Sequence, residues 1–175
     1  MELQPVPDPT GDPFFDALRR RHPDVDVVLL PPEPPPADPD AVVDEDLPGA
    51  VLARVATLAE DLWAAAARDS DAVPEARMVY GDGPGAVRAA SRVATRRDDG
   101  FHVLVALRHE LETHGWAVTR PPGAVERIEG HLDDLTVTAS YVEGTGALLF
   151  RLTSGSLTVG LDRARELTRH PGGGR

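Results

Sequence analysis

Cysteine is absent from this chain of 175 residues. Its absence excludes disulfides, thiolate metal sites and cysteine nucleophiles together. Lysine and asparagine are absent as well, so all 18 positive charges are arginine, and isoleucine and glutamine occur once each. Aromatic residues make up only 5%, which leaves Leu, Val and Ala to fill the core. No run reaches the roughly 20 apolar residues of a membrane span, and Met1 to Asp12 has no apolar leader segment. These absences give the expectation of a cytoplasmic protein, indifferent to redox conditions and without membrane contact.

A hydrophobic fraction of 41% in 175 residues suits one domain with an appendage. The arginine-only, asparagine-free usage has the look of a GC-rich, actinobacterial-type genome. The formal charge of −11 is unevenly spread. Residues 1–46 hold 12 acids and three arginines, a balance of −9, and the rest of the chain stands at −2. A phosphate backbone would meet a repelling field, so nucleic acid is not an expected partner. A protein is, and a homodimer is allowed.

The first 48 residues hold 12 of the 17 prolines, each of which fixes φ and removes an amide donor. Residues 1–46 are expected to form an acidic Pro-rich arm with one short helix and one short strand. Asp12 is the expected N-cap of the helix, with Pro13 at its first position and Phe14, Phe15 and Leu18 on its apolar side, and the helix is expected to run to about Arg21 before Pro23 ends it. Val25–Leu30 is a strand candidate, and Pro31–Pro36 is expected to be an extended linker with PxxP spacing. One reading is a tether packed on its own domain. The other is a partner contact through Phe14, Phe15, Leu18, Val27 and Leu29.

Residues 47–170 read as a single α+β domain, and 171–175 as a loose tail. Apolar residues recur at three and four from Val51 to Trp63, predicting a helix over Leu47–Arg68. Val87, Val93 and Thr95 favour strand, so Ala76–Tyr80 and Ala86–Arg96 are expected to form a hairpin around Gly81–Gly85. A second helix, capped by Asp98 or Asp99, buries Phe101, Leu104, Leu107 or Val105, and Leu111, and stops at Gly115. After Trp116 and Val118 come Val125–Leu132, Leu135–Val142, Ala147–Thr153 and Ser156–Val159, alternating in polarity. Leu161–Arg169 reads as a closing helix. The expected fold is α+β: an antiparallel meander sheet of about five strands packed under two main helices.

The order helix, Gly115-Trp116, meander, with Ser154-Gly155-Ser156-Leu157-Thr158-Val159 near its end, is similar to a domain of small uncharacterised actinobacterial envelope lipoproteins. The resemblance covers residues 98–160 and implies no activity and no functional residue. This chain departs from that pattern in lacking a signal sequence and a lipobox cysteine, so an envelope location does not carry over.

Few residues invite chemistry. His109-Glu110-Leu111-Glu112-Thr113-His114 fails the zincin pattern, because its histidines are five apart and about 140° out of line on a helix. Glu110 and His114 are four apart and share a helix face that would bind a metal with His131 as third ligand, and the enzyme alternative is a dispersed site centred on His109, His114 and His131. Gly81-Asp82-Gly83-Pro84-Gly85-Ala86 matches a dinucleotide fingerprint in letters, with Arg88 beside it and Asp98 near the acidic position. That fingerprint needs a parallel βαβ unit, and a tight turn is the plainer reading. No serine lies in G-x-S-x-G, and Asp133-Asp134 reads as a turn. Arg88, Arg92, Arg96 and Arg97 form the dense basic patch, whose expected contacts are solvent, the acidic arm or an anionic ligand.

The leading expectation is a non-catalytic interaction module, an adaptor or chaperone-like accessory, with no cofactor and no metal. A small anionic-ligand sensor using the arginine patch beside the Gly-rich turn is the alternative.

Overall fold

Strict alternation of apolar and polar side chains turns one row of each strand toward a common interior, and the sheet follows from it. The computed structural model describes residues 17, 20, 21, 42–123 and 125–169. The chain divides into two units, Met1–Pro35 and Pro36–Arg175, and the sheet with its covering helices belongs to the second. Phe14, Phe15, Leu18, Val27, Leu29, the proline run and residues 171–175 lie outside the described residues.

In chain order the elements are α1 (Leu47–Ala66), β1 (Glu75–Tyr80), β2 (Ala86–Arg96), α2 (Gly100–Thr113), β3 (Ala117–Thr119), β4 (Glu126–Leu132), β5 (Leu135–Val142), β6 (Ala147–Thr153), β7 (Leu157–Thr158) and α3 (Leu161–Thr168). The α+β reading holds. The sheet is antiparallel and runs β1-β2-β6-β5-β4-β3, with β7 also pairing β2. It has seven strands where about five were expected. The difference is the β1–β2 hairpin, which joins the meander through the pairing of β2 with β6. That pairing links residues more than 50 positions apart and leaves no trace in local periodicity.

The apolar row of the sheet faces the helices. Val87, Ala89 and Val93 of β2, Leu148, Phe150 and Leu152 of β6, and Leu135, Val137, Ala139 and Tyr141 of β5 are buried there. Val55, Ala59, Leu62 and Trp63 of α1 meet them from above, with Val103, Leu104, Leu107 and Leu111 of α2 and Ala164 of α3. α1 packs over β1, β2 and β6, and α2 over β3, β4 and β5. The Trp63 ring sits 5.7 Å from Phe150 in a tilted contact. Its indole N–H donates to the Ala72 carbonyl at 2.8 Å, so the buried polar atom is satisfied.

α2 corrects the expected stripe. Phe101 is 45% exposed and Val105 52% exposed, whereas Val103 is buried. The cause is Gly100, which lies against the Tyr141 ring so closely that a methyl there would fall on it. With residue 100 turned to the sheet, positions 103, 104, 107 and 111 follow on the same side and Phe101 points about 100° away. The capping expectation is also corrected. Asp99 occupies the N-cap position but makes no side-chain cap bond, because its carboxylate is held by Arg97.

The helix stop matches the sequence reading in detail. Gly115 has φ +81°, the Trp116 N–H donates to the Leu111 carbonyl at 3.0 Å, and the Gly115 N–H to that of Glu112 at 3.2 Å. This is the Schellman arrangement, with Trp116 then buried in the core.

β6 and β7 are one strand interrupted by a bulge. Ala90 pairs with Thr153, but Ala86 pairs with Thr158, a shift of one residue in register. Buried Ser154 repairs the ladder: its Oγ accepts the Ala89 N–H at 3.0 Å and donates to the Gly155 carbonyl at 2.8 Å. The Ser154–Val159 run is thus accounted for by strand geometry.

Candidate functional site

Residues directly opposite each other on antiparallel strands share a face, so the registers define the side of the sheet turned away from the helices. One cross-strand row there is Glu75, Arg92, Arg151, Thr138 and Glu129. The next is Arg77, Ala90, Thr153, Thr136 and His131. Toward the other end come Ala94, Leu149, Ser140 and Arg127, then Arg96, Ala147 and Val142. Val79 and Arg88 complete it on the hairpin. Arg92, Ala94, Arg96, Leu149, Arg151, Arg127 and His131 are all exposed, so no described element covers this central part of the face, whereas Ala90 is buried and Arg77, Val79 and Arg88 are half-buried toward the hairpin.

The basic patch is thereby resolved residue by residue. Arg88, Arg92 and Arg96 do share one strand face, as their spacing allowed. Arg88 is committed to Asp82 beside the glycine turn. Arg127 is likewise tied to Glu129. Arg92 and Arg96 have no hydrogen-bond or ion-pair partner among the described residues, and neither has Arg151, although Glu75 stands opposite Arg92 on β1. Arg151 sits directly opposite Arg92 on β6. Two like charges in that relation weaken strand pairing.

Arg97 does not belong with them. It lies past the end of β2, and its Nε and Nη2 donate to the two Asp99 oxygens at 2.7 and 2.8 Å. The fork holds the Asp99 carboxyl below the usual carboxylate range and raises the Arg97 guanidinium above its ordinary value, the hydrogen bonds being the larger cause in each.

The helix side offers a different feature. A groove of about 820 Å³ opens between α1, the C-terminal end of α2 and the β4–β5 hairpin. Its apolar walls include Leu58, Leu62, Trp116, Leu132 and Leu135, and Arg54, Asp61, Glu110 and His114 stand on its rim. The His114 ring Nδ1 lies 2.8 Å from the Glu110 carbonyl oxygen and 3.8 Å from its Oε2. This volume and lining fall within the range of ligand pockets.

The three histidines do not come together. His109 is exposed on α2, His114 is on the helix side, and His131 is on the opposite face of the sheet, its Nδ1 3.2 Å from Thr136 Oγ1. No group of three His, Asp or Glu among the described residues is arranged to hold a metal ion. No described helix is long and apolar enough to cross a membrane.

The Gly81–Gly85 turn leads into a strand, so no helix N-terminus stands where a dinucleotide fingerprint needs one. Its contacts are with the chain itself. The Gly85 carbonyl accepts the Val159 and Gly160 N–H groups at 2.9 and 3.1 Å. The Asp82 N–H donates to Ser156 Oγ at 2.9 Å, and that hydroxyl donates to Asp82 Oδ2 at 3.1 Å.

No family model, curated protein or solved structure matches this chain.

Sequence reasoning missed Arg151, Arg127 and Leu149 as members of the open face. The signal was present in the alternation Leu148–Leu152, which puts Leu149 and Arg151 opposite Phe150. What was missing was the β2–β6 register that brings them to Arg92. The groove was missed because it is made by elements distant in sequence.

Proposed function

We propose that this domain is a non-catalytic cytoplasmic protein-interaction module, an adaptor or chaperone-like accessory protein, and that its contact surface is the open sheet face. The observation that carries the reading is the setting of Leu149. It is 45% exposed in the middle of β6, with Ala94 and Ser140 beside it and Ala147 and Arg151 two positions along. Val142, also exposed, stands opposite Ala147. Arg92, Arg96, Arg127 and Arg151 surround this small apolar centre. An apolar middle within an arginine-rich border is the composition of a protein interface.

The test is capture from the native cell with full-length wild type and with Leu149→Ser. A partner retained by wild type and lost by the variant, at unchanged melting temperature, supports the reading. Identical capture profiles overturn it. The groove supports a second reading, a binding site for a small apolar ligand. A thermal-shift screen of apolar ligands tests it, and Leu58→Arg should remove any stabilisation found.

A further inference from the structure

We infer that the open face recognises an acidic, extended segment of a partner protein, with Arg92 and Arg151 as paired anchors and Arg96 as a third. This rests on the reading of the face as the contact surface, and it names the chemistry of what binds there.

Charge is the first argument. The face carries six arginines, at 77, 88, 92, 96, 127 and 151, against Glu75 and Glu129, on a chain whose formal charge is −11. Arg88 and Arg127 are already taken by carboxylates. Arg92, Arg96 and Arg151 have no such partner among the described residues. Opposed guanidinium groups at Arg92 and Arg151 weaken the β2–β6 pairing. A carboxylate placed between them turns the repulsion into charge-assisted hydrogen bonds on both sides.

Spacing is the second. Arg92 and Arg96 are four residues apart on one face of β2, ~13 Å at the rise of a strand. An extended peptide lying along β2 presents its own same-side residues at that interval, so acids four positions apart meet both arginines. Ala94, the small exposed residue between them, leaves room for it. The strand residues of this face include no Phe, Tyr or Trp. Single-stranded nucleic acid is normally held by stacking on such rings, which favours a peptide.

The experiment is fluorescence anisotropy on the full-length chain. Its probes are a short Gly-Ser peptide with glutamate at every fourth position, the same peptide with glutamine, and oligouridylate of matched length. The glutamate peptide should bind and the glutamine peptide should not. Arg151→Glu should weaken binding at least about tenfold, by replacing an anchor with a repelling charge. Its melting temperature should stay level or rise by up to about 4 °C, because Glu opposite Arg92 relieves the like-charge pair. Arg108→Ala, on the exposed side of α2 and paired with Glu112, should leave binding unchanged.

Tighter binding of oligouridylate, or glutamate-peptide binding indifferent to Arg151→Glu, overturns the inference, as does no binding at all. If Leu149-dependent capture survives while the peptide fails, only the acidic class of partner falls. If both fail, the interaction reading falls with it.

Discussion

The two faces of the sheet are built from the same strands and differ by one position in each. On β6, Leu148, Phe150 and Leu152 are buried while Leu149 and Arg151 are exposed. On β2, Val87, Ala89, Ser91 and Val93 lie in the interior while Arg92 and Arg96 meet solvent. One face is held in place by burial of apolar area under three helices; on the other, Arg92, Arg96 and Arg151 have no carboxylate partner among the described residues. The inner face therefore accounts for stability, and the outer face carries features that stability does not require. Substitutions at neighbouring positions separate the two.

The largest contrast should appear within β6. Phe150 is fully buried against Trp63, so Phe150→Ala should cost about 3–5 kcal/mol of unfolding free energy. Leu149→Ala, one residue earlier, should stay within about 0.5 kcal/mol, as exposed substitutions do. Urea unfolding of both variants measures the difference. Equal losses would mean that both faces are covered in solution.

Gly100→Ala tests the inner face from the helix side. The added methyl meets the Tyr141 ring, and overpacking of this kind costs about 1–3 kcal/mol even though alanine is the better helix former. The helix gain and the packing loss have opposite signs, so net stabilisation would show that α2 sits farther from the sheet.

Ser91 is the exception within the apolar row. It is fully buried, and its Oγ has no hydrogen-bond partner among the described residues. An orphaned hydroxyl costs desolvation without return, so Ser91→Ala should stabilise by about 1 kcal/mol. A loss of similar size would show that a bound water satisfies the hydroxyl.

How much of the fold was legible in the sequence divides along the same line. Helix and strand positions came from local periodicity, and Leu135–Val142 and Ala147–Thr153 have the bounds the alternation predicts. The Gly115 stop was legible because left-handed φ is a local demand that glycine answers. Strand count was not, since β2–β6 pairing is set by long-range packing. The Phe101 face was misread because periodicity allows several helix rotations and only the Gly100–Tyr141 approach selects one. The arginine patch was half legible. Spacing four aligned Arg88, Arg92 and Arg96, but Arg151 needed the register, and nothing local showed that Asp99 would draw Arg97 away.

Arg97 gives the smallest and most controlled comparison, because it is an arginine of the same strand end that does have a carboxylate. The guanidinium fork holds the Asp99 carboxyl below its ordinary value. A carboxylate lowered in the folded state contributes stability that is complete above the unfolded value, about pH 4. That contribution is lost as pH falls through the lower folded value. Asp99 is half exposed, so solvent screening limits it to below about 1 kcal/mol. Asp99→Asn should therefore lower the melting temperature slightly at neutral pH and remove part of its decline below about pH 4. Melting curves of wild type and variant across that window, at low and high salt, measure it. An acid decline unchanged in the variant would show that the fork does not persist in solution, and the contrast between Arg97 and the uncompensated Arg92–Arg151 pair would go with it.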